Sequence, residues 1–128
     1  MASGKQVVAT DKAPNPAPLI SQALVVNGMV YTAGQIPVDP ATGKLVEGTI
    51  KERTAQVFKN LQHVLEAAGS SLEKAVKVNI FVTNLKDVPA LNEVYATIFP
   101  DPKPVRTCVG VRELPLGTDI EVECSGYI

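Results

Sequence analysis

The chain has 128 residues, of which 45% are hydrophobic and 20% charged, and its formal net charge at pH 7 is −1. This length predicts one domain over residues 1–128 with a sizeable core. The near-zero charge provides no basic field to hold nucleic acid or an anionic membrane, and no apolar stretch approaches the ~20 residues of a transmembrane helix.

The first predicted elements are an irregular arm and a β-hairpin. Alternate prolines over residues 13–18 exclude regular structure, because proline lacks a backbone N–H and restricts the residue before it. Strands are predicted over Ala23–Val26 and Met29–Ala33, and Asn27-Gly28 between them is typical of a type I′ turn. The prolines and glycines of residues 34–43 then predict turns.

Two helices are predicted in the middle of the chain. Thr49 and Glu52, three residues apart, form a capping box, and apolar residues then recur at helical spacing until Gly69. The second helix is predicted to begin near Asp87, with Pro89 tolerated in its first turn, and to end before the prolines at positions 100 and 102.

Three further strands complete the order, over Ala75–Val82, Val105–Val111 and Ile120–Tyr127. The order β-β-α-β-α-β-β, with Gln6–Val8 as an additional short strand, predicts an α+β fold in which one mixed sheet carries two helices on one face. We expect part of the uncovered face to meet another subunit. An ordinary solvated face is the alternative.

Arg106 and Cys108 are two residues apart in the strand Val105–Val111. Alternation places its valines on one face, predicted to fit the core, and the guanidinium and thiol together on the other face. Arginine binds a carboxylate through two parallel hydrogen bonds, and a cation can lower the pKa of a neighbouring thiol. An edge strand whose Arg106 and Cys108 have no chemical role fits the same pattern.

The last strand carries Glu121 and Glu123 on one face, which we predict to be the uncovered face that also carries Arg106 and Cys108. A hairpin through residues 114–117 would pair this strand with Val105–Val111. The carboxylates and the guanidinium would then form either a small anion pocket with an acid/base group or a cross-strand ion pair.

Other chemistries lack the residues that they need. The single histidine, His63, lies between helical core positions and is predicted to be a surface or flanking residue rather than a base. The sequence contains no Cys/His cluster with zinc spacing and no glycine-rich phosphate-binding motif. We therefore expect neither a metal nor an organic cofactor.

The closing stretch, residues 104–111 followed by Leu114-Pro115 and residues 120–123, resembles the RidA (YjgF) family of reactive-intermediate enamine/imine deaminases. Further matching segments are Gly34-Gln35-Ile36-Pro37, Ala67-Ala68-Gly69, Val76-Lys77-Val78 and Asn92-Glu93-Val94-Tyr95 with Phe99. The resemblance extends from about Ala13 to residue 128. It implies a chorismate-mutase-like fold, a homotrimer with ligand clefts between subunits, and hydrolysis of 2-imino acids such as 2-iminopropanoate to 2-oxo acids and ammonia.

The resemblance also implies roles for individual residues. Arg106 matches the arginine that holds the substrate carboxylate, and Glu121 matches the glutamate that orients or activates water. Cys108 matches a pocket cysteine whose main chain contacts the ligand, while a covalent role is less favoured because imine hydrolysis does not require one. Gly34 belongs to the cleft wall. Ile20 stands where the family often has a tyrosine, and it cannot donate that hydrogen bond.

Two alternative functions remain open. A non-catalytic module binding small carboxylates would use Arg106 without needing Glu121. An endoribonuclease or translation inhibitor is an activity attributed to some relatives, but the pI near 5.8 and the single histidine argue against it. Two cysteines are too few for a disulfide scaffold and favour a reduced compartment, the cytoplasm or the mitochondrial matrix. The expected partners are an imino acid and further copies of the chain.

Overall fold

The computed structural model describes residues 4–128, which form one six-stranded sheet, a small two-stranded sheet and two α-helices. The strands, in chain order, are β1 (Gln6–Val8), β2 (Ala23–Val26), β3 (Met29–Thr32), β4 (Val38–Asp39), β5 (Lys44–Leu45), β6 (Ala75–Val82), β7 (Val105–Gly110) and β8 (Ile120–Tyr127). The helices are α1 (Ile50–Ala67) and α2 (Val88–Tyr95). The mixed α+β class with two helices, expected from the sequence, is confirmed.

Local signals account for the helix and hairpin boundaries. Thr49 and Glu52 form the reciprocal capping box at the start of α1, and Gly69 follows its end with φ of +84°. Asn27 and Gly28 have φ of +50° and +76°, as a type I′ turn between β2 and β3 requires. The loop expected over residues 34–43 additionally contains β4, which pairs with β5 in a short hairpin that no signal in the sequence predicted.

The main sheet has the strand order β1-β2-β3-β8-β6-β7. β7 pairs in parallel with β6, because α2 lies in the connection between them and returns the chain to the same end of the sheet. β8 pairs antiparallel with β3 and β6 and so lies in the middle of the sheet. The hairpin between β7 and β8 that the sequence would allow does not form, since β6 separates these strands.

One face of the sheet packs against both helices and forms the core. Its fully buried side chains include those of Val30, Val78, Ile80, Val82, Ile120 and Val122, which pack with Phe58, Leu61 and Leu65 of α1 and Leu91 of α2. These apolar positions alternate along β6 and β8, which explains why one face of each strand is buried.

The expected assignment of faces on β7 is wrong. The parallel register places Arg106 beside Val78 and Cys108 beside Ile80, so both side chains lie on the helix-covered face. Val105 and Val109, predicted to fit the core, lie on the open face and are 61% and 41% exposed. Alternation shows which residues share a face, but the register with β6 decides which face meets the helices.

The open face carries Glu121 and Glu123, as predicted, but not Arg106 or Cys108. Glu121 pairs with Phe81, which also pairs with Val109 on the other side of β6. Glutamate and arginine therefore lie on opposite faces within one chain. None of the helices within residues 4–128 is long and apolar enough to cross a membrane.

Candidate functional site

A cleft of about 730 Å³ lies at the start of β8. Its walls are the proline-rich arm, the segment from Ala33 to Gly43, the turn at Pro115-Leu116 and the side chain of Glu121. Ile20 and Leu116 contribute apolar side chains that are 57% and 72% exposed. Three of the predicted site residues thus line one cavity: Ile20, Gly34 and Glu121.

Glu121 is packed directly over Gly34. A Cβ atom at position 34 would lie 2.3 Å from Glu121 Oε2 and 2.8 Å from its Cδ, so glycine leaves the space that the carboxylate occupies. Burial raises the pKa of Glu121, and the neighbouring charge of Glu123 raises it further. A carboxylate with a raised pKa is a stronger base than an exposed one, which suits it to accept a proton.

The arm that forms one wall is held by the buried side chain of Gln22 on the approach to β2. Its Oε1 accepts a hydrogen bond from the backbone N–H of Thr10 at 2.7 Å. Its Nε2 donates to the carbonyl oxygens of Thr10 at 3.0 Å and Pro14 at 2.9 Å. These bonds replace the regular pairing that the prolines prevent, and they fix the wall from behind.

Two further side chains fix the other walls. The fully buried Asn60 on α1 donates through Nδ2 to the carbonyl oxygens of Val38 at 2.9 Å and Ile36 at 3.3 Å. Arg53 on α1 donates from Nε and Nη2 to the two carboxylate oxygens of Asp119, at 2.9 and 2.6 Å. The pair with Asp119 ties α1 to the residue before β8, two positions before Glu121. Sequence reasoning missed these anchors because their partners are distant in the chain.

Arg106 and Cys108 form a second group on the helix-covered side, at the edge strand β7, and neither lines the cleft. The Arg106 guanidinium carbon lies 4.6 Å from the centroid of the Tyr95 ring of α2. Burial raises the pKa of Cys108 and outweighs the opposing effect of Arg106. Arg106 does act to lower the pKa of this thiol, as its position in the sequence suggested, but desolvation is the larger effect and the net shift is upward.

Tyr95, which contacts Arg106, belongs to an aromatic cluster that extends into the core. Its ring centroid lies 5.7 Å from that of Phe58 and 5.1 Å from that of Phe99, and Phe58 and Phe99 are themselves 5.7 Å apart. The Tyr95 hydroxyl oxygen is buried without a hydrogen-bond partner among residues 4–128. Burial raises the pKa of Tyr95, so the hydroxyl stays protonated at neutral pH.

Other candidate groups lie apart from both sets. His63 Nδ1 is 2.8 Å from the carbonyl oxygen of Lys12, and the histidine does not line the cleft. Cys124 is buried, and burial raises its pKa to about 11. Across the described part of the chain, no three His, Cys, Asp or Glu side chains form a group that could hold a metal ion.

Comparison with known proteins gives a consistent family assignment. Residues 10–128 match the family model described as Endoribonuclease L-PSP. A RutC family protein of Pyrococcus abyssi is 45% identical over 123 residues, which cover 96% of this chain and 97% of the relative. A protein of Dermatophagoides farinae named 2-iminobutanoate/2-iminopropanoate deaminase is 41% identical over 121 residues, covering 94% of each chain.

Solved structures agree with these sequence matches. The crystal structure of RidA from the Antarctic bacterium Psychrobacter sp. matches with a TM-score of 0.92 and 43% identity, and the match covers 96% of this chain and 99% of the other. The fold, the family match over residues 10–128 and the relatives at more than 40% identity lead to one conclusion: this chain belongs to the RidA (YjgF) family.

Proposed function

We propose that this protein is a hydrolytic deaminase that converts reactive 2-imino acids and their enamine tautomers, such as 2-iminopropanoate, to 2-oxo acids and ammonia. The observation that carries the proposal is the Glu121 carboxylate, which has a raised pKa and lies over Gly34 on the wall of the cleft. A relative at 41% identity bears the name of this activity.

The proposed reaction needs positioning and one proton acceptor. Glu121 accepts a proton from water as the water oxygen bonds to C2 of the protonated imine. The resulting carbinolamine then takes that proton from Glu121 on its nitrogen. As the C–N bond breaks, the carbinolamine hydroxyl gives its proton back to Glu121, so that ammonia and the 2-oxo acid form. Glu121 passes this proton to ammonia, which leaves as ammonium, and the carboxylate is regenerated. A general base in this role contributes about 10²–10⁴-fold to the rate. Neither a covalent enzyme intermediate nor a bound cofactor is required by this sequence of steps.

Binding of the substrate carboxylate is assigned to Arg106, with the main chain near Cys108 as a further contact. Arg106 and Glu121 lie on opposite faces of one sheet, so one chain does not bring them together. We therefore propose that the site forms between subunits of a homotrimer, with Arg106 of one subunit facing the cleft of its neighbour.

The open sheet face supports this assembly. Exposed apolar side chains lie on both sides of the two glutamates on this face: Val7 on β1, Tyr31 on β3, and Val105 and Val109 on β7. Exposed apolar side chains of this kind gain free energy when a second copy covers them. Val109→Lys should yield monomers without imine hydrolysis, measured by light scattering and by the assay below. A monomeric variant with full activity would contradict the assembly.

The decisive assay measures 2-oxo acid and ammonia released from an imine generated in place by a pyridoxal-phosphate-dependent serine or threonine dehydratase. The wild-type protein should accelerate release above the spontaneous rate. Arg106→Ala should abolish the acceleration while the trimer persists, and Arg106→Lys should also be poor because the bidentate geometry is lost. Near-normal activity in either variant removes Arg106 from the role.

A second candidate function is favoured by the family model, whose description is an endoribonuclease. Against it stand the net charge of −1 and the position of His63, which does not line the cleft. A carboxylate-binding module is a third candidate. Glu121→Gln separates it from the deaminase, because turnover should fall about 10²–10⁴-fold while 2-oxo acid binding changes little. The proposed compartment is the cytoplasm or the mitochondrial matrix.

A further inference from the structure

The Arg106 guanidinium is held in an unusual way. Among residues 4–128, no hydrogen bond or ion pair fixes it, and its aromatic contact is the Tyr95 ring at 4.6 Å. The three ion pairs in the described part of the chain involve other cations. An arginine whose guanidinium has no hydrogen bond or ion pair can adopt many side-chain conformations unless another contact restricts it.

The Arg106 guanidinium carbon lies over the Tyr95 ring, and a contact of this kind restricts the side chain. A guanidinium is planar and its N–H bonds lie in that plane. A guanidinium that a ring holds by its face therefore keeps its N–H edge available for a carboxylate. An ion pair with a protein carboxylate would hold the side chain too, but it would occupy the edge that the ligand needs.

The ring is itself fixed by the core. Phe58 is 1% exposed and contacts Tyr95 edge to face, with an interplanar angle of 76°. Phe99 contacts the Tyr95 ring at 5.1 Å. A chain of aromatic contacts thus runs from the middle of the core to Arg106 at the edge strand, and it makes the Tyr95 ring a rigid platform.

We propose that Tyr95 is the positioning residue of the carboxylate site: its ring holds the Arg106 guanidinium by its face, so that the N–H edge is oriented before the ligand arrives. The proposal rests on the proposed function only in taking a carboxylate as the ligand of Arg106. The ring, and not the hydroxyl, performs the positioning, because the buried hydroxyl has no partner in the described residues.

Three variants test the proposal. Tyr95→Phe keeps the ring, Tyr95→Leu removes it, and Phe99→Leu is the matched control, since it removes a ring of the same cluster that does not contact Arg106. We expect Tyr95→Leu to raise KM roughly 5- to 30-fold, equivalent to about 1–2 kcal/mol at 1.4 kcal/mol per tenfold. Its kcat should stay within about twofold of the wild-type value, because the lost contact stabilises the bound substrate and the transition state equally.

Calorimetry with pyruvate, the 2-oxo acid product, should show binding to Tyr95→Leu weakened by the same factor. Tyr95→Phe should retain wild-type KM and pyruvate affinity. Phe99→Leu should unfold at lower temperature, with a rise in KM much smaller than that of Tyr95→Leu, because the ring that contacts Arg106 is still present and Phe58 still holds it. Wild-type KM in Tyr95→Leu, equal loss in Tyr95→Phe, or an equal rise of KM in Phe99→Leu would each overturn the proposal.

A spectroscopic measurement keeps the test independent of turnover. The Arg106 Nε–H signal in a ¹H–¹⁵N spectrum should carry a ring-current shift in the wild type and in Tyr95→Phe, and should lose it in Tyr95→Leu. The signal is assigned by its absence in Arg106→Lys. An unchanged shift in Tyr95→Leu overturns the positioning role even if the wild type hydrolyses imines. Conversely, a lost shift with no wild-type turnover refutes the deaminase and leaves the positioning supported.

Discussion

Gly34→Ala tests the proposed role of Glu121 without touching the glutamate. The added Cβ would lie 2.3 Å from Glu121 Oε2, whereas ordinary contacts begin near 3.4 Å, so the carboxylate must move by about 1 Å. A displacement of this size in a catalytic group costs about 10²-fold in rate. Because the clash is with the end of a flexible side chain and not with backbone, we expect the free energy of unfolding to change by less than about 0.5 kcal/mol.

The assay is kcat for imine hydrolysis, measured with thermal unfolding of the same sample. Gly126→Ala is the contrasting control, because its Cβ would meet rigid backbone, 2.5 Å from the carbonyl oxygen of Lys74. It should lower the melting temperature, whereas Gly34→Ala should lower kcat. The double variant of Gly34→Ala with Glu121→Gln should be no slower than Glu121→Gln alone, since both act through one carboxylate. Unchanged kcat in Gly34→Ala, or a further loss in the double variant, would refute this reasoning.

Three further predictions concern stability. Glu121→Gln should raise the melting temperature at pH 7. The pKa of Glu121 in the folded protein lies above the usual 4.5, so the wild type loses stability as the pH rises from the unfolded-state pKa through the folded-state pKa. The variant has no carboxyl group at this position and does not lose this stability. The difference in melting temperature should therefore shrink as pH falls below about 4. Gln22→Leu should cost about 1–3 kcal/mol and speed hydrogen exchange at the Thr10 amide, because the hydrogen bonds to the arm are lost. Arg53→Met should lower the free energy of unfolding, measured in urea, by about 1.5–3 kcal/mol, since it leaves Asp119 without its bidentate partner.

Local chemistry made much of the fold predictable. Asn27-Gly28 predicted the two-residue turn between β2 and β3, and the capping box at Thr49 predicted the start of α1. Both predictions succeeded because each signal lies within four residues of the structure that it determines. The bounds of β6 and β8 followed from the alternation of valine and isoleucine with polar residues. These elements required no knowledge of distant parts of the chain.

Strand order depended on long-range pairing and was predicted less well. Adjacency in sequence suggested a hairpin between β7 and β8. Nine residues separate these strands, and the helix between β6 and β7 is instead typical of a parallel crossover connection. The face assignment failed for the same reason, because the valines of β7 face the open side only once the register with β6 is known.

The candidate site was predicted in part by resemblance and in part not at all. Ile20, Gly34 and Glu121 line one cleft, and Arg106 and Cys108 lie together on the other face, so the five residues form two groups within a chain. The motifs identify which residues belong to the candidate site. Their division into two groups depends on the order and register of the strands, which the motifs do not specify. The structural roles of Gln22, Asn60 and Arg53 could not be predicted, because the sequence does not show which distant residue an amide or arginine side chain will contact.

The central place of β8 has a consequence for biosynthesis. A nascent chain leaves the ribosome from its N-terminus, so β1-β2-β3 and β6-β7 emerge before the strand that joins them. Until residues 120–127 appear, the inner edges of β3 and β6 expose unpaired N–H and C=O groups, which invite pairing with other chains. Synthesis of β8 is then the event that completes the sheet. Translational pauses before residues 120–127 should therefore increase aggregation and dependence on chaperones.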